Sequence, residues 1–143
     1  MQSNKPEHIL ARQFADVWLK PSADELIKVI HSETILYQPH LPPLHGREAA
    51  YQEFKRFMDW VPGFYGVVDR YEGDNNLVFI EWQMKFPIGK KVISIRAVDR
   101  ISIQEGLIKE RAVYFNTLPL IKAILGNPGG WRKYLRYRFA KRI

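Results

Sequence analysis

One carboxylate stands out by its neighbours. Across Lys90–Gln104 apolar and polar residues alternate, and period two places Asp99 in line with Ile93, Ile95, Ala97, Ile101 and Ile103, on the face that a strand buries. A carboxylate in that setting either has its ionised form disfavoured by desolvation or takes a Tyr, His or Arg partner. The first case makes Asp99 the candidate catalytic residue, a proton donor or orienting acid in a ligand cavity; the second makes it a satisfied core residue, or one turned outward by a bulge. His31, at the end of a helical stretch, and His40 and His45, in a Pro-rich connection, stand where an acid–base couple with Asp99 is conceivable. His8 reads as an exposed helix residue. The histidines show no metal-ligand spacing and there is no Cys, which excludes thiolate catalysis, iron–sulfur clusters, disulfides and Cys-based zinc sites. No metal and no cofactor are expected. The aromatics Phe14, Trp18, Phe57, Trp60, Phe64, Trp82 and Tyr114 read either as core or as the walls of a site for a flat apolar molecule, Tyr114 bringing a hydroxyl near Asn116.

These residues need elements to hold them. Leu10, Phe14, Val17 and Trp18 recur at helical spacing between Glu7 and Leu19, and Pro21 ends the run. Ser22 three residues before Glu25 has the spacing of a capping box, followed by a short helix through Leu26, Ile27, Val29 and Ile30. Thr34–Tyr37 reads as a brief strand, and Pro39, Pro42, Pro43 and Gly46 mark a turn-rich connection. A third helix carries Ala50, Phe54, Phe57, Met58 and Val61. Strands are expected over Leu77–Phe86, Lys90–Gln104 and Leu107 to about Thr117, with turns at Pro87-Ile88-Gly89 and Glu105-Gly106. Alternation puts Glu81, Arg96, Arg100 and Arg111 opposite the apolar stripes, as cross-strand ion pairs or a dimer contact. The order of elements predicts an α+β fold with three N-terminal helices on one face of a curved antiparallel sheet.

The length of 143 residues suits one domain, and 46% apolar residues with four Trp, seven Tyr and eight Phe argue against disorder. The formal net charge is +7, yet residues 1–110 hold 14 basic against 15 acidic groups, and the other eight of the 22 basic residues follow Glu110 with no acid between them. We divide the chain into a domain over 1–125 and a basic extension over 126–143, set off by Gly126-Asn127-Pro128-Gly129-Gly130. In the extension Trp131, Leu135 and Phe139 recur every four residues, which predicts a helix that docks through them and leaves its charges solvated. An anionic surface or acidic partner at residues 131–143 is the alternative use, and nucleic acid is not an expected partner. No apolar run is long enough for a membrane span, and MQSNKPEHIL lacks the apolar stretch of a signal peptide, so a soluble cytoplasmic protein is expected.

Three pieces in order carry a resemblance: the helix ending Phe14-Ala15-Asp16-Val17-Trp18; Gln38-Pro39 followed by Gly46-Arg47-Glu48-Ala49-Ala50; and Asp99 followed by Glu105-Gly106-Leu107-Ile108-Lys109-Glu110 and Tyr114-Phe115-Asn116. Over residues 7–117 the chain resembles the nuclear transport factor 2-like superfamily, in particular its SnoaL-like and ketosteroid-isomerase-like members. The resemblance implies a cone-shaped, cystatin-like roll around an apolar cavity, and a homodimer formed through the outer sheet face. Isomerases of this kind use a carboxylate base before the Pro of the connection, a Tyr on the first helix and a neutral acid on a central strand. Those positions are Gln38, Phe14 and Asp99 here, so two of the three groups are replaced by side chains that cannot do the same proton chemistry. Related cyclases carry an Asp after the Tyr-Phe pair, here Asn116, and related epoxide hydrolases an Arg two residues before Asp99, here Ala97. The expected function is binding of a small, largely apolar organic molecule by Phe14, Trp18, Gln38, Phe57, Trp82, Tyr114 and Asn116. In its enzymatic form it is an isomerisation or cyclisation by proton transfer at carbon, with Asp99 as the acid. The alternative is a non-catalytic module that holds a partner through the outer sheet or the basic extension.

Overall fold

The computed structural model describes residues 3–39 and 41–142; His40 lies outside them. Helix α1 (Pro6–Leu19) begins with Pro in its first turn, where the missing N–H costs nothing, and buries Leu10, Phe14 and Trp18 on one face. A one-turn helix α2 (Ala23–Leu26) is capped by Ser22, whose hydroxyl accepts from the Glu25 N–H at 3.2 Å. It runs through a 3₁₀ turn over Ile27–Val29 into strand β1 (Ile30–Tyr37), so the second helix is shorter and the first strand longer than the sequence reading placed them. A two-residue strand β2 (Leu44–His45) precedes α3 (Arg47–Trp60), which buries Ala50, Glu53 and Phe54.

Four strands follow: β3 (Tyr65–Asp74), β4 (Leu77–Ile88), β5 (Lys91–Gln104) and β6 (Leu107–Phe115). The six strands form one sheet in the order β2-β1-β6-β5-β4-β3. Every pairing is antiparallel except β1 with β6, which is parallel, so the sheet is mixed where an antiparallel one was expected. Strand β3 has no counterpart in the sequence reading. It is an edge strand with most side chains exposed, so it has no apolar stripe to mark it. Its buried residue is Gly66, over which the Trp82 ring lies so closely that an added Cβ would stand 2.4 Å from a ring carbon. The β3–β4 turn places Asn75 and Asn76 at φ of 53° and 60°, a left-handed pair suited to a two-residue hairpin. Strand β4 runs through Pro87 to Ile88, displacing the expected turn to Gly89-Lys90.

Beyond the sheet lie α4 (Leu118–Leu125), a 3₁₀ turn over Pro128–Gly130 and α5 (Trp131–Arg138). The C-terminal helix forms as expected but docks on a different face. Trp131, Leu135 and Phe139 are exposed, whereas Tyr137 is buried and Tyr134 half-buried against the core. Stacking decides the orientation: the Tyr137 ring lies 4.8 Å from that of Trp60 at an interplanar angle of 20°, and Tyr134 meets the same indole at 5.2 Å. Among the described residues, no helix is long and apolar enough to cross a membrane.

Candidate functional site

The inner faces of β4 and β6, with Gln38, Pro39 and Leu41 after β1, border a cavity of about 340 Å³ that α1, α3, α4 and α5 close. Its size falls within the range of about 300–1,000 Å³ usual for small-molecule sites. The wall is aromatic, with Trp18 from α1, Phe57 and Trp60 from α3, Trp82 and Phe86 from β4, and Phe64 from the loop after α3. These rings meet mostly edge to face, as Phe57 and Phe64 do at 4.8 Å and 84°.

Asp99 is buried on the inner face of β5, with no exposed surface. It is not part of the cavity wall. Trp82 Nε1 donates to its Oδ1 at 2.8 Å, and Arg111 Nε donates to its Oδ2. Burial pushes the Asp99 carboxyl above the usual carboxylate range, against the opposing pull of the Arg111 charge and of the two hydrogen bonds. Arg111 is the cavity-facing member of the pair. Its guanidinium also lies 5.6 Å from the centre of the Phe14 ring and 5.3 Å from that of Trp18, so it is clamped between a carboxylate and two aromatic faces.

Arg111 therefore points inward, not outward as simple alternation placed it. The register between β5 and β6 shifts after Ser102, pairing Ile101 with Arg111 but Ile103 with Ile108. That irregularity reverses the parity along β6, so Arg111 and Ile108 share the buried side although they stand an odd three positions apart. Glu110, by contrast, pairs outward with Arg100 at 3.2 Å, and Arg70 with Glu81 at 3.4 Å, as cross-strand ion pairs.

A second polar pole closes the cavity at α5. Glu53 on α3 is buried in the wall and accepts from the Tyr137 hydroxyl through Oε2 at 2.5 Å and from Arg142 Nε through Oε1 at 2.6 Å. Arg142 Nη2 donates in turn to the Tyr137 carbonyl at 2.8 Å. Burial, with the Glu53 carboxylate beside it, pushes the Tyr137 hydroxyl well up, which keeps it a donor at any physiological pH. Helical spacing carries a signal for Glu53, three residues after Ala50 and four before Phe57, on the apolar face of α3. Nothing in the sequence alone pairs it with a residue 89 positions away.

Of the expected ligand residues, Trp18, Gln38, Phe57 and Trp82 stand in the wall. Gln38 Oε1 is buried there without a hydrogen-bond partner. Phe14 is buried behind Trp18 and Trp82 and touches Arg111 instead of the cavity. Tyr114 and Asn116 are corrections. Tyr114 is 57% exposed on the outer sheet face, where it borders a shallow depression with Tyr37 and Arg100, because its inward neighbours are Val113 and Phe115. Asn116 is exposed and accepts from the Leu118 N–H at 3.1 Å, at the start of α4. His31 is buried away from the cavity, its Nδ1 accepting from the Glu33 N–H, and His45 is exposed on β2. Neither meets Asp99. Among the described residues, no group of three or more His, Asp or Glu is placed to hold a metal.

A family model for the SnoaL-like domain matches residues 11–111, more than half of the chain. The chain belongs to the SnoaL-like family. Among solved structures, this SnoaL-like protein is similar in fold to a protein described as a SnoaL-like polyketide cyclase from Jannaschia, at 14% identity and TM-score 0.71, with 87% of this chain and 97% of that one covered. An LEH-like epoxide hydrolase from M. tuberculosis aligns at 17% identity and TM-score 0.71, over 91% of this chain and 98% of the other. A protein of ketosteroid-isomerase-like fold from Catenulispora acidiphila, solved with trimethylamine, aligns at 11% identity and TM-score 0.70, over 84% and 92%. No curated relative matches the sequence. At these identities the likeness extends to the nuclear transport factor 2-like fold and no further.

Proposed function

We propose that the protein binds a small, largely apolar organic molecule in the cavity, with Arg111 donating to an oxygen of the ligand and Gln38 accepting from a hydroxyl or N–H. The observation that supports this most directly is Arg111, which lines an aromatic-walled space while its Nε donates to buried Asp99. A preorganised cation there orients one polar group while the rings take the rest of the molecule. Titrating the tryptophan fluorescence of the protein with 3-ketosteroids and fused-ring phenolic ketones is the test. Saturable quenching is expected, weakened about tenfold by Gln38→Leu, the loss of one hydrogen bond to a bound ligand. It is abolished by Val113→Phe, which fills part of the space. Absence of saturable quenching across both classes removes the reading.

The same arrangement suits proton transfer at carbon, since Arg111 is placed to stabilise the charge that grows on a carbonyl oxygen as a neighbouring C–H loses its proton. In that reaction Asp99 is a positioning residue acting through Arg111, because both of its oxygens are engaged and it does not border the cavity. The carboxylate that does border the cavity, Glu53, is likewise taken up by Tyr137 and Arg142. With Gln38 at the position where a base is expected, no carboxylate among the described residues that line the cavity is left free to take the proton, and this favours binding without turnover as the leading form.

The outer sheet face supports a homodimer. Phe79, Val98 and Tyr114 are exposed on neighbouring strands, and the register sets Val98 opposite Tyr114. Analytical ultracentrifugation is expected to give a dimer that Val98→Asp converts to a monomer. A monomer at all concentrations in the parent chain rejects this face as the contact.

A further inference from the structure

The α5 helix presents two faces of different chemistry. Tyr134 and Tyr137 turn inward and line the cavity with Arg138. On the other side Trp131, Leu135 and Phe139, spaced by four, are 42%, 49% and 75% exposed. Arg132, Lys133 and Arg136 are exposed on the same helix, and Lys141 just beyond it. At about 100° per residue, Arg132 and Arg136 flank the apolar stripe directly, and no carboxylate side chain occurs after Glu110 to offset them. The adjoining α4 adds exposed Leu118, Ile121 and Leu125 at positions i, i+3 and i+7.

We propose that α5 docks on an anionic lipid bilayer, with Trp131, Leu135 and Phe139 entering the headgroup region, Arg132 and Arg136 beside them meeting lipid phosphates, and Lys133 and Lys141 adding to the attraction from farther off. Charge complementarity selects this occupant. Residues 1–110 carry a formal charge of −1, and of the eight basic residues beyond them Arg132, Lys133, Arg136, Arg138 and Lys141 lie on or just after the helix that exposes the apolar stripe. A continuous apolar phase bounded by negative charge matches both features at once, and a basic amphipathic helix lies in such an interface without spanning it. Trp131 suits the boundary, because its ring is partly exposed while its Nε1 is tethered to the Ile124 carbonyl at 2.7 Å. The inner face remains committed to Trp60 and Glu53, so docking asks no rearrangement of the fold.

Co-sedimentation of the full chain with extruded vesicles tests the proposal. Binding is expected to phosphatidylcholine mixed with phosphatidylglycerol and not to phosphatidylcholine alone, and it weakens as salt rises. The triple change Arg132→Gln, Lys133→Gln, Arg136→Gln is expected to weaken partitioning roughly 100-fold, about fivefold for each cation lost near the surface. The double change Leu135→Ser, Phe139→Ser releases the protein as well, although it leaves the charge intact. All five side chains are exposed, so neither variant disturbs the docked face. No binding to the anionic vesicles, or binding indifferent to both variants, overturns the proposal. So does a self-association lost in the double variant without vesicle binding, which makes a second copy the occupant, or retention of a mixed-sequence oligonucleotide in place of the vesicles.

Discussion

Asp99→Ala is expected to lower the unfolding free energy by about 3–5 kcal/mol, the usual cost of removing one partner from a buried ion pair. The reason lies with the groups left behind. Arg111 is almost fully buried and loses the partner of its Nε, and the Trp82 N–H loses its acceptor in an apolar interior. Asp99→Asn is milder on the tryptophan side, because the amide oxygen still accepts from Trp82, but it leaves the Arg111 charge uncompensated. The informative comparison is the double replacement Asp99→Leu, Arg111→Met. Both charges are then gone, and apolar residues of similar volume restore much or all of the stability, while the oriented donor in the cavity is lost. Urea unfolding of the three variants with the parent chain provides the stability readout, and the fluorescence titration provides the binding readout. A double variant as unstable as Asp99→Ala would mean that the pair's role is packing and not charge compensation. One that bound ligand as tightly as the parent would remove Arg111 from the site.

Glu53→Ala is expected to act locally. Its direct cost falls in the same range of about 3–5 kcal/mol, since the Arg142 guanidinium and the Tyr137 hydroxyl both lose the carboxylate between them. The loss is concentrated on α5, however, whose other ties are ring contacts with Trp60 and Phe57 and the Trp131 N–H bond to the Ile124 carbonyl. An element held so narrowly opens before the rest unfolds. Amide exchange over residues 131–138 should rise by two orders of magnitude or more, on the scale of about tenfold for each 1.4 kcal/mol of local stability lost, while strands β4 and β5 keep their protection. Trypsin should also cut first at Arg132, Lys133 or Arg136, which are exposed even in the parent chain. Unchanged exchange in α5 would show that stacking alone seats the helix.

Much of the body of the fold was legible from periodicity. The apolar faces of α1, α3, β4 and β5 fall where alternation and helical spacing put them, because each packs one full face against a single core. What escaped did so for local reasons. Strand β3 buries little beyond a glycine, so it offers no stripe to read. The inward turn of Arg111 depends on a register irregularity that leaves no mark in composition. On α5, spacing favours Trp131, Leu135 and Phe139 as the inward stripe, but stacking of Tyr137 on Trp60 turns the tyrosines inward instead. At the site, the burial of Asp99 follows from alternation alone, whereas its partners, and the whole Glu53–Tyr137–Arg142 cluster, come from strand register and helix packing across the chain.

The distance along the chain between Glu53 and its partners, 84 residues to Tyr137 and 89 to Arg142, has a kinetic meaning. Contacts of such separation form late, because a long loop must close before they repay its entropy. During synthesis α3 emerges with Glu53 well before either partner exists, and β5 emerges with Asp99 before Arg111 does. Both carboxylates therefore stay hydrated on a nascent chain whose sheet is still open, and the parallel β1–β6 pairing cannot form until β6 is available. Closing the sheet and dehydrating the carboxylates are therefore expected to coincide late in folding.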